Sequence, residues 1–204
     1  MVGADRGCDS VQILVAKDSP RTERTMASLS RKGWWFLPGI TRSVPQLTLT
    51  YYYPYYFQSW KVTIPKTMGR TLRVRLTTGV NGMNRSVSPA TEWPVGKEIT
   101  VGAEEVILPR TPEAEAERLS REYAQQFVTR RYRPSKPATI EREKFETYYV
   151  PYYVYTRENQ PLHKAALIEG FTGARGRVKD VPVIREALAN GGTVTSLGKG
   201  GRYR

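Results

Sequence analysis

The chain has 204 residues, with 32 Lys and Arg against 19 Asp and Glu, a net charge of +13 and a pI near 10.0. That length suits one large domain or two small ones. A hydrophobic content of 39% is too high for a wholly disordered chain. With one Cys and one His, the chain cannot supply a Cys/His zinc site, an iron-sulfur motif or an intramolecular disulfide.

We expect no signal peptide in Met1–Val15, because Asp5, Arg6 and Asp9 interrupt the apolar stretch that such a peptide needs. Apolar runs such as Trp34–Leu37 fall far short of the roughly 20 residues that span a bilayer. The unpaired Cys8 favours a reducing compartment. We therefore expect a soluble, cytoplasmic protein with no membrane partner.

The first half of the chain begins with a predicted strand and helix. Val11–Ala16 has the pattern of a short buried strand, and Ser19-Pro20 is a typical helix start, with Ser as the cap and Pro in the first turn. From Gln46 to Ile64, β-branched and aromatic residues predict extended structure. Apolar residues fall on odd positions before Pro54 and on even positions after it, which predicts a bulge or a break near this proline.

The next strand predicts a basic stripe on one face of a sheet. Thr71–Leu76 alternates apolar and basic residues, so its apolar side chains should point inward and Arg73 and Arg75 outward.

A second helix is predicted over about residues 111 to 131, with Thr111 as its cap and Pro112 in the first helical position. Leu119, Tyr123 and Phe127 recur every four residues and predict its apolar stripe. Basic residues gather at its C-terminal end, namely Arg130, Arg131 and Arg133.

Two tyrosine-proline clusters indicate an internal repeat. Tyr51–Tyr56 and Tyr148–Tyr153 match at five of six positions. Downstream, Leu76–Gly82 parallels Leu167–Gly173, with 25 residues from the proline to the first glycine in one copy and 19 in the other. Helix, aromatic strand, second strand and glycine loop thus occur twice in the same order, which predicts a tandem duplication.

The predicted fold class is therefore α+β, a tandem duplication of a unit with one helix and one small antiparallel sheet. Residues 1–103 form the first repeat and residues 104–190 the second, which closes with a short amphipathic helix over Asp180–Leu188. Residues 191–204 are a flexible, basic, Gly-rich tail.

The basic excess is shared by both halves: residues 1–103 hold 14 Lys and Arg against 6 acids, and residues 104–204 hold 18 against 13. Charge spread in this way attracts polyanions. The leading hypothesis is a non-enzymatic protein that binds a polyanion, with nucleic acid as the first expectation. The predicted binding residues are Lys61, Arg73, Arg75, Arg130, Arg131, Arg133, Arg175, Arg177, Lys199 and Arg202.

Two motifs have open alternatives. The tyrosine clusters could fill the space between sheet and helix, could leave Tyr55 and Tyr152 exposed as stacking platforms for bases, or could form a protein interface. The glycine-rich loop Gly170–Arg177 could be an ordinary turn or a nest of backbone amides that binds an anion.

The alternative function is a structural subunit of a larger assembly or homo-oligomer, whose tyrosine-rich strands pair edge to edge while the basic tail docks on an acidic partner. An enzyme has little support. His163 and Cys8 lie 155 residues apart without a local catalytic signature, and scarce Asp disfavours a magnesium or calcium site. No catalytic residue, metal or cofactor is predicted.

Overall fold

A computed structural model describes residues 10–30, 44–157 and 161–189. The predicted tail, with Lys199 and Arg202, lies outside these residues, as does Cys8. Within the three described stretches the strands are β1 (Ser10–Ala16), β2 (Gln46–Pro65), β3 (Thr71–Asn81), β4 (Val87–Ala90), β5 (Gly96–Gly102), β6 (Thr139–Thr156), β7 (Ala166–Glu169) and β8 (Arg175–Arg177), and the α-helices are α1 (Pro20–Ser30), α2 (Glu113–Tyr132) and α3 (Pro182–Ala189).

The predicted α+β class is confirmed, but the expectation of a separate small sheet in each repeat is wrong. The eight described strands form one sheet in the order β4-β3-β2-β6-β1-β5, with β7 paired to β6 and β8 to β7. The two long strands β2 and β6 are neighbours in it. Because each of them is long enough to pair with several partners, they join what the sequence suggested were two sheets.

The chain divides into two compact units that interleave along the sequence. The first unit draws on the described residues within Met1–Tyr53, Lys97–Leu108 and Val150–Arg204, and the second comprises Pro54–Gly96 and Pro109–Tyr149. The contiguous repeats 1–103 and 104–190 stay a prediction about ancestry, whereas the compact units each combine segments from both halves of the chain.

In the second unit, α2 packs on the β2–β3 hairpin. Trp60, Val62 and Ile64 of β2 are fully buried and contact Ala124 and Val128 of α2. The burial of this face follows the even-numbered apolar positions of β2, and it directs the odd-numbered Lys61 to the opposite face.

In the first unit, α1 packs on the β6–β7 hairpin. Leu29 of α1 forms a buried cluster with Tyr155 of β6 and Ile168 of β7, and Met26 packs against it. Each helix thus covers a hairpin that comes from the other half of the chain.

Strand β2 passes through Pro54 without interruption, so no break occurs there. The predicted change of buried face is present, because Tyr51 and Tyr53 are buried before the proline and Tyr56 and Trp60 after it. The boundary between the two compact units falls at the same point of the strand.

The two helix starts differ. Ser19 caps α1 as predicted, since its Oγ accepts a hydrogen bond from the backbone N–H of Thr22 at 3.3 Å. The prediction that Thr111 caps α2 is wrong, because Pro112 occupies the cap position without a side-chain hydrogen bond. The backbone of Thr111 is used otherwise: its N–H donates to Gly82 O at 2.9 Å, and its carbonyl accepts from the Tyr56 hydroxyl at 2.7 Å.

The two glycines that the sequence paired, Gly79 and Gly170, differ in their backbone contacts. Gly79, which the sequence paired with Gly170, lies inside β3 opposite Phe57. It is Gly82 whose N–H donates to Pro54 O, at 3.0 Å, in the way that the N–H of Gly170 donates to Pro151 O, at 2.7 Å. By this hydrogen bond, the counterpart of Gly170 is Gly82, three residues after the glycine with which the sequence paired it.

Candidate functional site

The β2–β3 hairpin carries three basic residues on the face opposite α2. Lys61 and Arg75 are cross-strand partners, and Arg73 lies two residues from Arg75 on the same strand, opposite Thr63. All three cations are exposed. Residues directly opposite each other in an antiparallel pair share a face, so these side chains form the basic stripe that the alternation predicted.

One of these cations is paired. Arg75 forms an ion pair with Glu143 of β6 at 2.6 Å. The hydrogen bond from Arg75, with smaller contributions from Ser59 and Lys61, lowers the pKa of the Glu143 carboxyl. Both partners are exposed, so this pair orients Arg75 more than it stabilises the fold.

The turn of the same hairpin lies against the C-terminal end of α2. Lys66 Nζ donates to the Tyr132 carbonyl at 3.0 Å and lies 5.7 Å from the centre of the Tyr132 ring. Ser135 Oγ approaches Pro65 O at 3.4 Å. These contacts bring two basic segments together, and we call their six cations the hairpin–helix cluster. Its members are Lys66, Arg70, Arg130, Arg131, Arg133 and Lys136.

The cluster has no carboxylates of its own. Residues 54–91 hold six Lys and Arg and residues 123–140 hold four, and neither stretch contains Asp or Glu. Among the described residues, no cluster member forms an ion pair, and all but the half-buried Lys66 are exposed. By contrast, Arg118 and Arg121 in the middle of α2 each pair with glutamates.

Sequence reasoning found half of this cluster and missed Lys66, Arg70 and Lys136. The signal that could have found them is the acid-free composition of the two segments, which is visible in the sequence. Their adjacency was not visible, because it depends on α2 packing across the β2–β3 hairpin of the other half of the chain.

An open groove of about 320 Å³ adjoins the cluster on α2, lined by Tyr123, Gln126, Phe127, Arg130 and Arg131. The Tyr123 and Phe127 rings are nearly parallel, at an interplanar angle of 20° with centroids 6.4 Å apart. Both rings are half-buried, and the three polar residues are exposed. Neither Gln126 nor the rings were predicted as site residues.

The proposed stacking tyrosines are largely enclosed. Tyr152 is 9% exposed and packs on Tyr53 with ring centroids 5.2 Å apart. Tyr55 is half-buried beside Phe57, and its hydroxyl accepts a hydrogen bond from Asn81 at 3.3 Å. Tyr152 therefore has little ring surface left for a base.

Arg175 and Arg177 lie on β8 of the first unit, where both are exposed and pair with Ile168 and Ala166. The amides of the preceding loop are used within the protein: Gly173 N–H donates to Glu169 O at 2.9 Å, and Ala174 N–H to Thr172 Oγ1 at 3.2 Å. Positive φ at Gly173 identifies a tight turn. These two amides are not available to form an anion-binding nest.

Ligand sets for a metal are not found among the described residues, where no three His, Cys, Asp or Glu side chains converge. His163 is exposed. No helix in the described stretches is both long enough and apolar enough to cross a membrane.

The chain matches no protein-family model, no curated protein and no solved structure. Function is therefore inferred from the residues of the site alone.

Proposed function

We propose that this chain is a non-enzymatic protein that binds a polyanion, with nucleic acid as the expected ligand. The observation that carries the proposal is the hairpin–helix cluster, in which six cations lie on two adjoining segments without an ion-pairing carboxylate. Like charges held close together repel each other and cost stability unless a counter-charge is supplied. A phosphate backbone supplies one.

The basic stripe extends the cluster along the hairpin. Arg70 ends the turn at which β3 begins, and Arg73 and Arg75 follow on the strand. A strand rises about 3.3 Å per residue, so Arg73 and Arg75 lie about 7 Å apart along β3, and one extended polyanion can contact both. We propose that Lys61, Arg73 and Arg75 contact the same ligand as the cluster.

Arg175, Arg177 and the tail residues Lys199 and Arg202 are proposed as further contacts. The exposure of Arg175 and Arg177 on β8 supports this role. Such contacts would add affinity without sequence preference, because arginine and lysine neutralise phosphates regardless of the bases.

The test is a binding titration with matched charge variants of α2. Arg130→Gln/Arg131→Gln removes two cluster cations, and Arg118→Gln/Arg121→Gln removes two cations from the same helix that are already paired with glutamates. We expect the first variant to weaken binding and to reduce the salt slope, d log K/d log[salt], by about 2. The second variant should change the slope by much less.

Equal effects of the two variants would show that only net charge matters and would remove the cluster as a site. If micromolar protein retards neither DNA nor RNA in a gel-shift titration at about 50 mM salt, the proposal is wrong.

The alternative, a structural subunit, is supported by an edge of the sheet and not by the tyrosine-rich strands. The tyrosine-rich strands β2 and β6 lie inside the sheet. Strand β4 pairs only with Thr77–Val80 of β3, so in the described residues the outer edge of Thr71–Leu76 has no strand partner. Edges of this kind can pair with another chain. Size-exclusion chromatography with light scattering distinguishes an assembly from a monomer that binds nucleic acid.

We further propose that the two halves arose by tandem duplication and that the protein acts in the cytoplasm. Support for duplication comes from equivalent hydrogen bonds after each tyrosine cluster. In one copy the carbonyl of Gly82 accepts a hydrogen bond from the backbone N–H of Thr111. In the other the carbonyl of Gly170 accepts one from the backbone N–H of Ser19, and both distances are 2.9 Å. Thr111 and Ser19 each precede a proline and a helix.

A further inference from the structure

The groove on α2 combines two chemistries on one face of the helix, over about two turns. Tyr123 and Phe127 contribute nearly parallel rings, and Arg130 and Arg131 contribute cations at the same groove. Gln126 adds an exposed amide that can donate and accept hydrogen bonds. A volume of about 320 Å³ lies at the small end of the range for ligand pockets.

These chemistries match the two parts of a nucleotide. Aromatic faces stack on bases of any sequence, and guanidinium groups bind phosphate. Bases in a duplex are already stacked on one another, so their faces cannot reach a ring on a protein surface. Only an unpaired base can use Tyr123 and Phe127.

We infer that this groove binds unpaired bases, so that the protein prefers single-stranded nucleic acid to duplex. This inference rests on the proposed function and adds its substrate class. The cluster cations hold the backbone, and the rings of α2 select the strand whose bases are free.

Charge and ring chemistry favour this occupant over others. A second copy of the chain docked through the same face would bring the same uncompensated cations to the groove and be repelled. An acidic peptide would satisfy Arg130 and Arg131 but would make no particular use of two aromatic faces.

The test compares a single-stranded and a duplex oligonucleotide of one sequence by fluorescence anisotropy. Tyr123→Leu and Tyr123→Leu/Phe127→Leu remove stacking faces and keep apolar volume. Tyr123→Leu alone spares the core, because Phe127 but not Tyr123 packs against the buried cluster around Trp60. Phe171→Leu, in a half-buried aromatic position of the first unit, is the matched control.

We expect tighter binding of the single strand by the wild-type protein. The Tyr123→Leu/Phe127→Leu variant should lose about tenfold in single-strand affinity. Its duplex affinity and salt slope should stay at the wild-type values, which also shows that the variant is folded. Phe171→Leu should change neither. Photocrosslinking to iodouracil in the single strand should label Tyr123 or Phe127.

Equal affinity for both oligonucleotides, or an equal loss for both in the double variant, would overturn the inference while polyanion binding stands. Crosslinks confined to other parts of the chain would overturn it as well. Absence of binding to either oligonucleotide would instead overturn the proposed function.

Discussion

Two glycines fix the corners at which each hairpin meets its helix. A Cβ added to Gly170 would lie against Asp18 Oδ1 and 2.6 Å from Pro151 Cγ, and one added to Gly82 would lie 2.9 Å from Pro54 O. Both glycines also donate a backbone hydrogen bond to the proline carbonyl that they approach. A side chain at Gly170 or Gly82 would clash, because the backbone at each position lies in hydrogen-bond contact with the neighbouring proline carbonyl.

Substitution of Gly170 should therefore destabilise the protein. We expect Gly170→Ala to lower the free energy of unfolding by about 1 to 3 kcal/mol, since proline and backbone atoms cannot move aside. Gly176→Ala is the control, because nothing lies within 4 Å of its added Cβ, and it should stay within about 0.5 kcal/mol of wild type. Urea unfolding measures both, and equal midpoints for the two variants would contradict the expectation.

Buried tyrosines make stability sensitive to alkaline pH. Burial, with a hydrogen bond to Glu146, raises the pKa of Tyr148 to about 12. Burial and a hydrogen bond to Asp18 raise the pKa of Tyr153 as well. An unfolded tyrosine ionises near pH 10. Between about pH 10 and about pH 12 the unfolded chain thus loses protons that the folded chain retains.

Stability should be unaffected by these tyrosines below about pH 10 and should fall as the pH rises beyond it. Urea midpoints measured at rising pH, with tyrosinate absorbance recorded in parallel, follow the loss. Tyr148→Phe removes one of the titrating groups, so its stability should fall less steeply than that of wild type. An identical slope in the variant would show that Tyr148 does not contribute.

At the scale of elements, α2 shows what hydrophobic periodicity can and cannot predict. The helix and its approximate limits follow from the sequence, but the predicted stripe of Leu119, Tyr123 and Phe127 is not its buried face. That face is made of small residues, namely Ala116, Ser120, Ala124 and Val128. Small side chains let the helix approach the sheet closely enough for Ser120 Oγ to accept from Trp60 Nε1 at 2.8 Å.

The displaced rings are what create the groove on α2. Large apolar residues dominate any count of hydrophobicity along a helix, so a sequence pattern assigns them to the core. Here Trp60, on the facing strand, packs against small residues of α2 instead, and it lies 60 residues from Ser120 in the sequence, so the pattern of α2 does not reveal this contact. The two rings are therefore left half-buried beside the core.

In strand β2, by contrast, the sequence does predict which residues are buried. Its apolar residues move from odd to even positions at Pro54, and the buried face changes there. This alternation did not predict that Phe57 and Ser59, which lie on the other face of the strand, are also buried. Phe57 packs edge-on against Tyr148, whose ring contacts Trp93 in turn, with centroids 5.6 and 6.2 Å apart. This second layer comes from segments distant in sequence, which a local pattern cannot reveal.

At the scale of the whole molecule, the interleaving of the two compact units is the feature furthest from the sequence. A repeated order of elements suggests that each repeat folds on itself. The packing is exchanged instead, so that α2 covers β2–β3 and α1 covers β6–β7. Both arrangements use the same local patterns, and only long-range packing distinguishes them.

Fragments of the chain should therefore fail to fold when they correspond to single repeats. Fragment 1–103 contains the β2–β3 hairpin without α2, which leaves Trp60, Val62 and Ile64 uncovered, although all three are 0% exposed in the full chain. Exposing three such side chains forfeits roughly 1.5 to 3 kcal/mol each, a large part of the stability of an ordinary domain. We expect no cooperative urea transition from this fragment by tryptophan fluorescence.

Fragment 104–204 should also lack a cooperative urea transition, because α2 would have no hairpin to cover. Circular dichroism follows this fragment, since all four tryptophans lie in residues 1–103. The equimolar mixture is the control, since it restores every partner with only one peptide bond missing. We expect the mixture to regain a cooperative transition and a tryptophan spectrum close to that of the intact chain. A sharp transition from fragment 1–103 alone would mean that the first repeat folds on itself, with α1 covering β2–β3, and that the exchanged packing is not required.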